Sequence, residues 1–447
     1  MLLYAISGPI RHQGAKAAAG PFTVRLHVRC RMRPLRPQFR QPDVTFPLAS
    51  SPSAGERRRT PRFLIGMDNA RAVRLAFGDE ALAALRALVE REIGRAAGIE
   101  VAEVEMTGRA ARDQWLLTLP GLAPAEAAAL LEALFVRLSL TPVRWNGAAL
   151  HPALNWVAVP DDAGPDAGPP PPAAAPPEPG EAWARRYRAD MAIAAQAFAA
   201  MAAGELALAW QPVLAADDPG RLLYHEALTR FAPEAAVAPG ELFPALERLG
   251  MTRLFDHHVM ALIGRELERH PDAVIGVNLS GASASCDGWW LPLLDRLESA
   301  PALARRLVVE ITETARMAED SVRFVARLRE RGCRIALDDF GVGHASIRNA
   351  MMIEADIVKI DACFIRNAGA SDRNREVLRH LTGIAASIAA DVIVEGIETG
   401  AESDLARQIQ SNLAPRSGAC WQQGYWLGRP STRRPWPAPP IAPRSPG

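Results

Sequence analysis

Five carboxylates, two amides and one lysine close a series of short apolar runs in the second half of the chain. The runs are Leu222 to Glu226, Val274 to Asn278, Leu307 to Glu310, Ile335 to Asp339, Ile357 to Lys359 and Val392 to Glu395, with Gln423 standing before Gly424. Brought together, Glu226, Glu310, Asp338, Asp339 and Glu395 would repel one another and be costly to take out of water unless cations neutralised them. The closing residues include neither Cys nor His, and such an all-oxygen donor set selects Mg²⁺ or Mn²⁺ over zinc. Adjacent Asp338 and Asp339 could serve two ions at once, and two metals roughly 3.5 to 4 Å apart clamp the attacking and leaving oxygens of a phosphodiester. Taken singly, each acid reads equally well as an ordinary strand-end carboxylate. Recurrence at strand after strand is what points to a site.

For that chemistry the positions must converge. The closing residues are 52, 32, 28, 21, 36 and 28 apart in sequence, about the length of one strand with its helix. An Ala-rich helix from Glu181 to Ala203 leads into the repeat. Repetition of this kind predicts an α/β fold, a (β/α) barrel whose strand C-termini meet on one face, where active sites are assembled.

The order of motifs resembles the EAL-domain cyclic di-GMP phosphodiesterases. It runs through Gln211-Pro212-Val213, Glu226-Ala227-Leu228 with Arg230, Asn278-Leu279-Ser280, Glu310-Ile311-Thr312-Glu313, Asp338-Asp339-Phe340-Gly341, Lys359-Ile360-Asp361, Glu395-Gly396-Ile397-Glu398-Thr399 and Gln423-Gly424-Tyr425. The resemblance implies a TIM-like (β/α)8 barrel that hydrolyses one phosphodiester of cyclic di-GMP to linear pGpG with two divalent cations, Mg²⁺ or Mn²⁺. It implies Glu226, Asn278, Glu310 and Asp338 as ligands of the first metal, and Asp338, Asp339 and Glu395 as ligands of the second. Lys359 would hold or help deprotonate the attacking water, so Glu226, Lys359 and Glu395 form the catalytic group; whether Glu395 is also a general base stays open. Gln423 would position water or ligand, Arg230 a substrate phosphate, and Gln211 would lie near a guanine. Glu313 would anchor the loop after Asp339, which in the family couples dimerisation to metal binding. Here that loop carries Val342, His344 and Ala345 in place of the family's threonine, tyrosine and first serine. About eight extra residues between Thr399 and Gly418 are expected to lengthen a helix-loop away from the metals. A homodimer through the EAL domain is the implied assembly, with a regulatory protein partner also open. A non-catalytic cyclic di-GMP receptor is the alternative, favoured by the altered loop and disfavoured by the complete ligand set.

Residues 63–159 resemble, more weakly, the GGDEF diguanylate cyclase domain. The signature position reads Ala111-Arg112-Asp113-Gln114-Trp115, Gly66 stands where a metal-binding aspartate would be, and Arg74 where a base-contacting asparagine would be. That implies a degenerate, cyclase-inactive α/β domain, either regulatory or an inert relic.

The rest is organisation. Residues 1–62 hold many arginines against only Asp43 and Glu56 and are expected to form a structureless basic arm. Nine prolines between Pro160 and Gly180 predict an extended linker at 160–180 between independent cores. The barrel is placed at 181–434 and a disordered tail at 435–447. A net charge of +1 gives no pull toward nucleic acid. Five scattered cysteines form no CxxC pair and no apolar run is long enough to span a membrane, so a cytoplasmic location is expected. His257 and His258 have no carboxylate at ligand spacing and read as surface or core histidines, and Trp289-Trp290 as packing or a protein contact.

Overall fold

Strict alternation of inward and outward side chains decides the main body of this protein. The computed structural model describes residues 22–26, 60–97, 104–109, 113–119, 122–159, 180–232, 238–312, 319–342, 346–411 and 420–436. The amino-terminal part contains β1 (Phe22–Leu26), β2 (Arg62–Met67), α1 (Ala70–Phe77), α2 (Asp79–Ala97), β3 (Val104–Arg109), β4 (Gln114–Thr118), α3 (Pro124–Leu140), β5 (Val143–Trp145), β6 (Ala148–Leu150) and β7 (Leu154–Ala158). Its sheet runs β1-β3-β4-β2-β7 with every pairing antiparallel. Strand β1 lies inside the stretch expected to be a structureless arm. Its five residues instead pair with β3 from Phe22↔Gly108 to Leu26↔Val104.

Helix α4 (Glu181–Ala203) then leads into β8 (Leu206–Ala215), β9 (Leu222–Phe231), α5 (Pro239–Leu249), α6 (Thr252–Arg269), β10 (Ile275–Leu279), a 3₁₀ turn at Gly288–Trp290, α7 (Leu291–Ser299), α8 (Pro301–Ala304), β11 (Leu307–Thr312), α9 (Glu319–Glu330), β12 (Arg334–Phe340), α10 (Ser346–Ile353), β13 (Ile357–Ile360), α11 (Ala362–Ala368), α12 (Asp372–Ile388), β14 (Asp391–Val394), α13 (Gly400–Ser411) and β15 (Cys420–Gln422). Eight strands close a barrel in the order β10-β11-β12-β13-β14-β15-β8-β9. The expected barrel is present, with one departure: β8 runs antiparallel to both β9 and β15. A tight connection joins β8 to β9, with Arg221 N bonded to Asp218 O at 2.9 Å, and two strands joined this way can only run in opposite directions.

Inside the barrel a floor of apolar side chains forms a cluster of its own, among them Val213, Tyr224, Val308, Ala336, Ile357, Ile393 and Trp421. Because side chains alternate along a strand, the residue two places further on points inward again, one layer higher. Those residues are Glu226, Glu310, Asp338, Lys359, Glu395 and Gln423, and on reversed β8 the residue two places earlier, Gln211. Strand β10 contributes Gly276 to the floor and Asn278 above it. A Cβ on Gly276 would collide with Glu310 Oε1 and the Tyr224 ring, so the bare glycine leaves room for both.

The outer core is shared. One cluster of buried apolar residues contains Leu85, Phe135 and Trp156 of the amino-terminal layer, Phe198 of α4, and Trp289, Phe324 and Leu378 of the barrel. Phe135 stacks on Trp156 at 6.2 Å and meets Trp289 at 6.0 Å. His257, a core histidine, places Nε2 2.8 Å from Glu132 Oε1 of α3. The linker composition predicts independent cores, yet the aromatic faces of both parts are buried against each other; each such ring removes about 150–250 Å² from water, about 4 to 6 kcal/mol as an upper bound. Among the described residues no helix is long and apolar enough to cross a membrane, and Cys286, Cys333, Cys363 and Cys420 are free.

Candidate functional site

The polar layer lies at the C-terminal ends of the parallel strands, and its members come together in space. Asn278 sits opposite Glu310, and Gln211 opposite Glu226, in the strand register. Asp339 is the exception to alternation, since as Asp338's neighbour it would ordinarily face outward. A register shift between Leu337 and Phe340 places a bulge here, and Asp339 adopts left-handed backbone at φ 56°. The bulge turns its carboxylate toward the same end as Asp338. Oxygens of Asp338, Asp339 and Glu395 thereby lie within 4.8 Å of one another.

Lys359 occupies the middle of the layer and is 1% exposed. Its Nζ lies 2.5 Å from Glu310 Oε2, 2.8 Å from Glu395 Oε1, 3.1 Å from Asp338 Oδ1 and 3.3 Å from Glu226 Oε2. Asn278 Nδ2 donates to Glu226 Oε1 at 2.7 Å and Gln423 Nε2 to Glu226 Oε2 at 2.5 Å. Glu226 is thus held from three sides by donors, which fixes its orientation before any ligand arrives.

The charges are set by burial and by one another. Burial would lower the Lys359 pKa, but Asp338, Glu226, Glu310 and Glu395 hold the ammonium well above its ordinary value. Burial and the Glu226 carboxylate push Glu310 up to about 8. Burial, then Asp338, push Asp339 up to about 6, and burial raises Asp338 and carries Glu395 well above the carboxylate range. Glu226 goes the other way: burial opposes its charge, but Lys359 and the amide donors outweigh it. One ammonium against five carboxylates leaves the layer short of positive charge, so it retains protons that an incoming dication would displace. Glu310 Oε1 and Gln423 Oε1 are buried without a hydrogen-bond partner. Unpaired oxygens beside excess negative charge are what a hard divalent cation satisfies, so the residues fit the expected metals.

The other residues expected at the site are placed as follows. Gln211 is buried in the layer and spends an amide N–H on Gly428 O at 3.1 Å. Arg230 is exposed near the end of β9, donating through Nη1 to Thr229 O at 2.8 Å, which leaves other guanidinium donors facing solvent. Glu313, His344 and Ala345 lie outside the described residues; of the lengthened stretch before Gly418, Gly400–Ser411 form α13 and the rest lies outside the described residues, while Val342 is 48% exposed. Tyr224 and Gly276, which support Glu310 from below, escaped the sequence reading. Their signal was available, since each stands two residues before a polar closing position.

The EAL domain family matches residues 194–430, 53% of the chain. "Probable cyclic di-GMP phosphodiesterase PdeA" of Escherichia coli (strain K12) is 29% identical over 237 residues, covering 51% of this chain and 31% of that protein. "Cyclic di-GMP phosphodiesterase NbdA" of Pseudomonas aeruginosa is 28% identical over 235 residues, covering 51% of this chain and 29% of that protein. The match therefore spans less than a third of either relative. A solved structure described as "PaMucR Phosphodiesterase, c-di-GMP complex" is similar with TM-score 0.46 and 24% identity, covering 54% of this chain and 97% of that one.

Proposed function

We propose, since the chain belongs to the EAL domain family, that it hydrolyses one phosphodiester of cyclic di-GMP to linear pGpG and so lowers the level of that messenger. The observation that supports this most directly is the ring of Glu226, Glu310, Asp338 and Glu395 around Lys359 at the strand ends. A pure receptor has no use for so costly a set of buried charges.

Two divalent cations, Mg²⁺ or Mn²⁺, would be held by Glu226, Asn278, Glu310 and Asp338 on one side and by Asp338, Asp339 and Glu395 on the other. When bound they would supply a water that is easier to deprotonate and positive charge beside the phosphate. The chain's own residues supply orientation. Lys359, fixed as an ammonium, donates to the attacking water or to the developing charge on phosphate oxygen. Glu226, held by Asn278 and Gln423, keeps a constant lone-pair direction. Arg230 offers its free guanidinium edge to a phosphate oxygen, and Gln423 steadies water through Oε1. With its amide N–H on Gly428, Gln211 shapes the wall beside a guanine rather than reading it with that donor.

The amino-terminal layer belongs to this proposal as a degenerate GGDEF-like domain without cyclase activity. The protein acts in the cytoplasm as a homodimer through the barrel; support for the dimer comes from Ile347 and Met351 on α10 and Val377 and Ile384 on α12, exposed apolar side chains of the kind a second copy would cover. The purified chain, incubated with cyclic di-GMP and Mn²⁺, should yield pGpG by chromatography. Tight binding of the nucleotide with no product over many hours would replace the enzyme with the receptor.

A further inference from the structure

Asn278 lies at the end of β10, and the segment that follows it is held from outside the barrel. Ser280 N donates to Asp256 Oδ2 of α6 at 3.1 Å. At the far end Asp287 accepts from Trp289 N at 3.1 Å and forms an ion pair with Arg253 Nε at 2.9 Å. Arg253 Nη1 also reaches Asp68 Oδ2 at 3.3 Å, and Asp68 belongs to the amino-terminal layer. Trp289 Nε1 donates to Leu154 O of β7 at 2.8 Å. Gly288 admits no Cβ, because one would overlap the Trp156 ring.

We propose that the amino-terminal layer is a positioning element for the barrel site, acting through residues 279–290 on Asn278. Arg253 is the positioning residue, because it bridges Asp68 of the layer and Asp287 near the far end of the segment. A segment between elements loses order when its anchors are cut, since each residue freed regains conformational entropy. Here the loop's other end is a strand residue whose amide holds Glu226 at 2.7 Å. Loosening the segment lets Asn278 sample positions in which neither Glu226 nor its own carbonyl oxygen is held for a ligand. Displacements of about 1 Å at a site are enough to matter. Simple packing between two cores would need Trp156 against Gly288, but not an arginine shared between Asp68 and Asp287.

The part of this inference that concerns metal rests on the function proposed above, so the test has an arm that does not. In the full chain, Asp68→Ala cuts the layer's ionic tie, and Trp289→Phe removes the donor to Leu154 while keeping most of the ring. Asp68→Glu is the conservative control. Amide exchange is measured at 25 °C, where all are folded, over residues 275–290, together with Mn²⁺ binding by calorimetry. Faster exchange should extend back to residues 277–280 in both variants, with Mn²⁺ affinity weakened about 3- to 10-fold, less than the roughly 10- to 100-fold typical of losing a ligand's direct partner because the tie is one segment removed; Asp68→Glu should recover part of each. Unchanged exchange at 277–280 overturns the proposal, and so does faster exchange there with unchanged Mn²⁺ affinity. If the wild-type chain binds no Mn²⁺, the metal reading fails by itself and the exchange arm decides the positioning role alone.

Discussion

Lys359 Nζ and Glu310 Oε2 lie 2.5 Å apart at the ends of β13 and β11, with the strand carrying Asp338 between them. The lysine thus reaches across a neighbouring strand to the most deeply buried carboxylate of the layer, which is 0% exposed. Asp338, Glu226 and Glu395 share the ammonium and keep it charged, while burial, Glu226 and Asp338 favour the protonated form of Glu310.

Replacing a carboxylate of the layer by its amide keeps size but removes charge and turns one acceptor oxygen into a donor. Glu226→Gln and Asp338→Asn should each lower cyclic di-GMP hydrolysis by about 10²-fold or more, with Asp338→Asn melting at or above the parent and Glu226→Gln somewhat below it, because its amide N–H would face Asn278, Gln423 or Lys359. Turnover assays beside thermal melts check this; parental rates in both variants would remove these residues from the metal assignment.

Lys359→Met keeps the buried stem and deletes the ammonium. Uncompensated buried charge costs roughly 3–5 kcal/mol, about 3–6 °C in melting temperature for a chain of this size, at pH 8 with chelator present. Saturating Mn²⁺ should return much of that loss. An unchanged melting temperature in chelator would mean that the lysine does not hold the layer together.

The raised carboxylate pKa values give a signed pH dependence. A folded Glu310 near 8, against about 4.3 unfolded, binds its proton more tightly in the native state. Stability of the chelated protein therefore falls as pH rises through this interval. His151, His225 and His258, each lowered by burial to about 4, act oppositely but only below about 6.5, while Asp339 is spent by about 6 and Asp256 by about 7. From pH 7 to 8 the chelated protein should lose about 1 kcal/mol through Glu310, with the raised Glu395 acting in the same direction, and the stabilisation given by Mn²⁺ should grow over the same step. Denaturant melts at the two pH values, with and without Mn²⁺, decide it; a flat chelated profile would place Glu310 outside the proton-holding set.

A fragment beginning at Glu181 loses the partners of Trp289, Phe198 and His257. Against the independence that the proline-rich linker predicts, it should melt well below the full chain and associate through the exposed aromatic face. Size-exclusion chromatography and calorimetry of both species test this. A monomeric fragment with the full chain's barrel transition would mean that the shared core contributes little.

The sequence by itself determined the barrel and the composition of its site, because both follow from period two. A polar residue ending an apolar run, repeated at strand-plus-helix spacing, leaves Glu226, Asn278, Glu310, Asp338, Lys359, Glu395 and Gln423 little choice but to converge. Tertiary structure alone decided what periodicity does not encode. The bulge at Asp338-Asp339 breaks the alternation and needs left-handed backbone that only the closed register sustains. The reversal of β8 follows from a short connection rather than from any pattern within the strand. Gln211 is committed to Gly428, 217 residues away, and α6 meets Asp68 and Glu132 across a linker whose composition argues for separation. Alternation is a property of neighbouring residues and can be read along the chain, whereas these contacts depend on which finished surfaces bury the most apolar area when they meet.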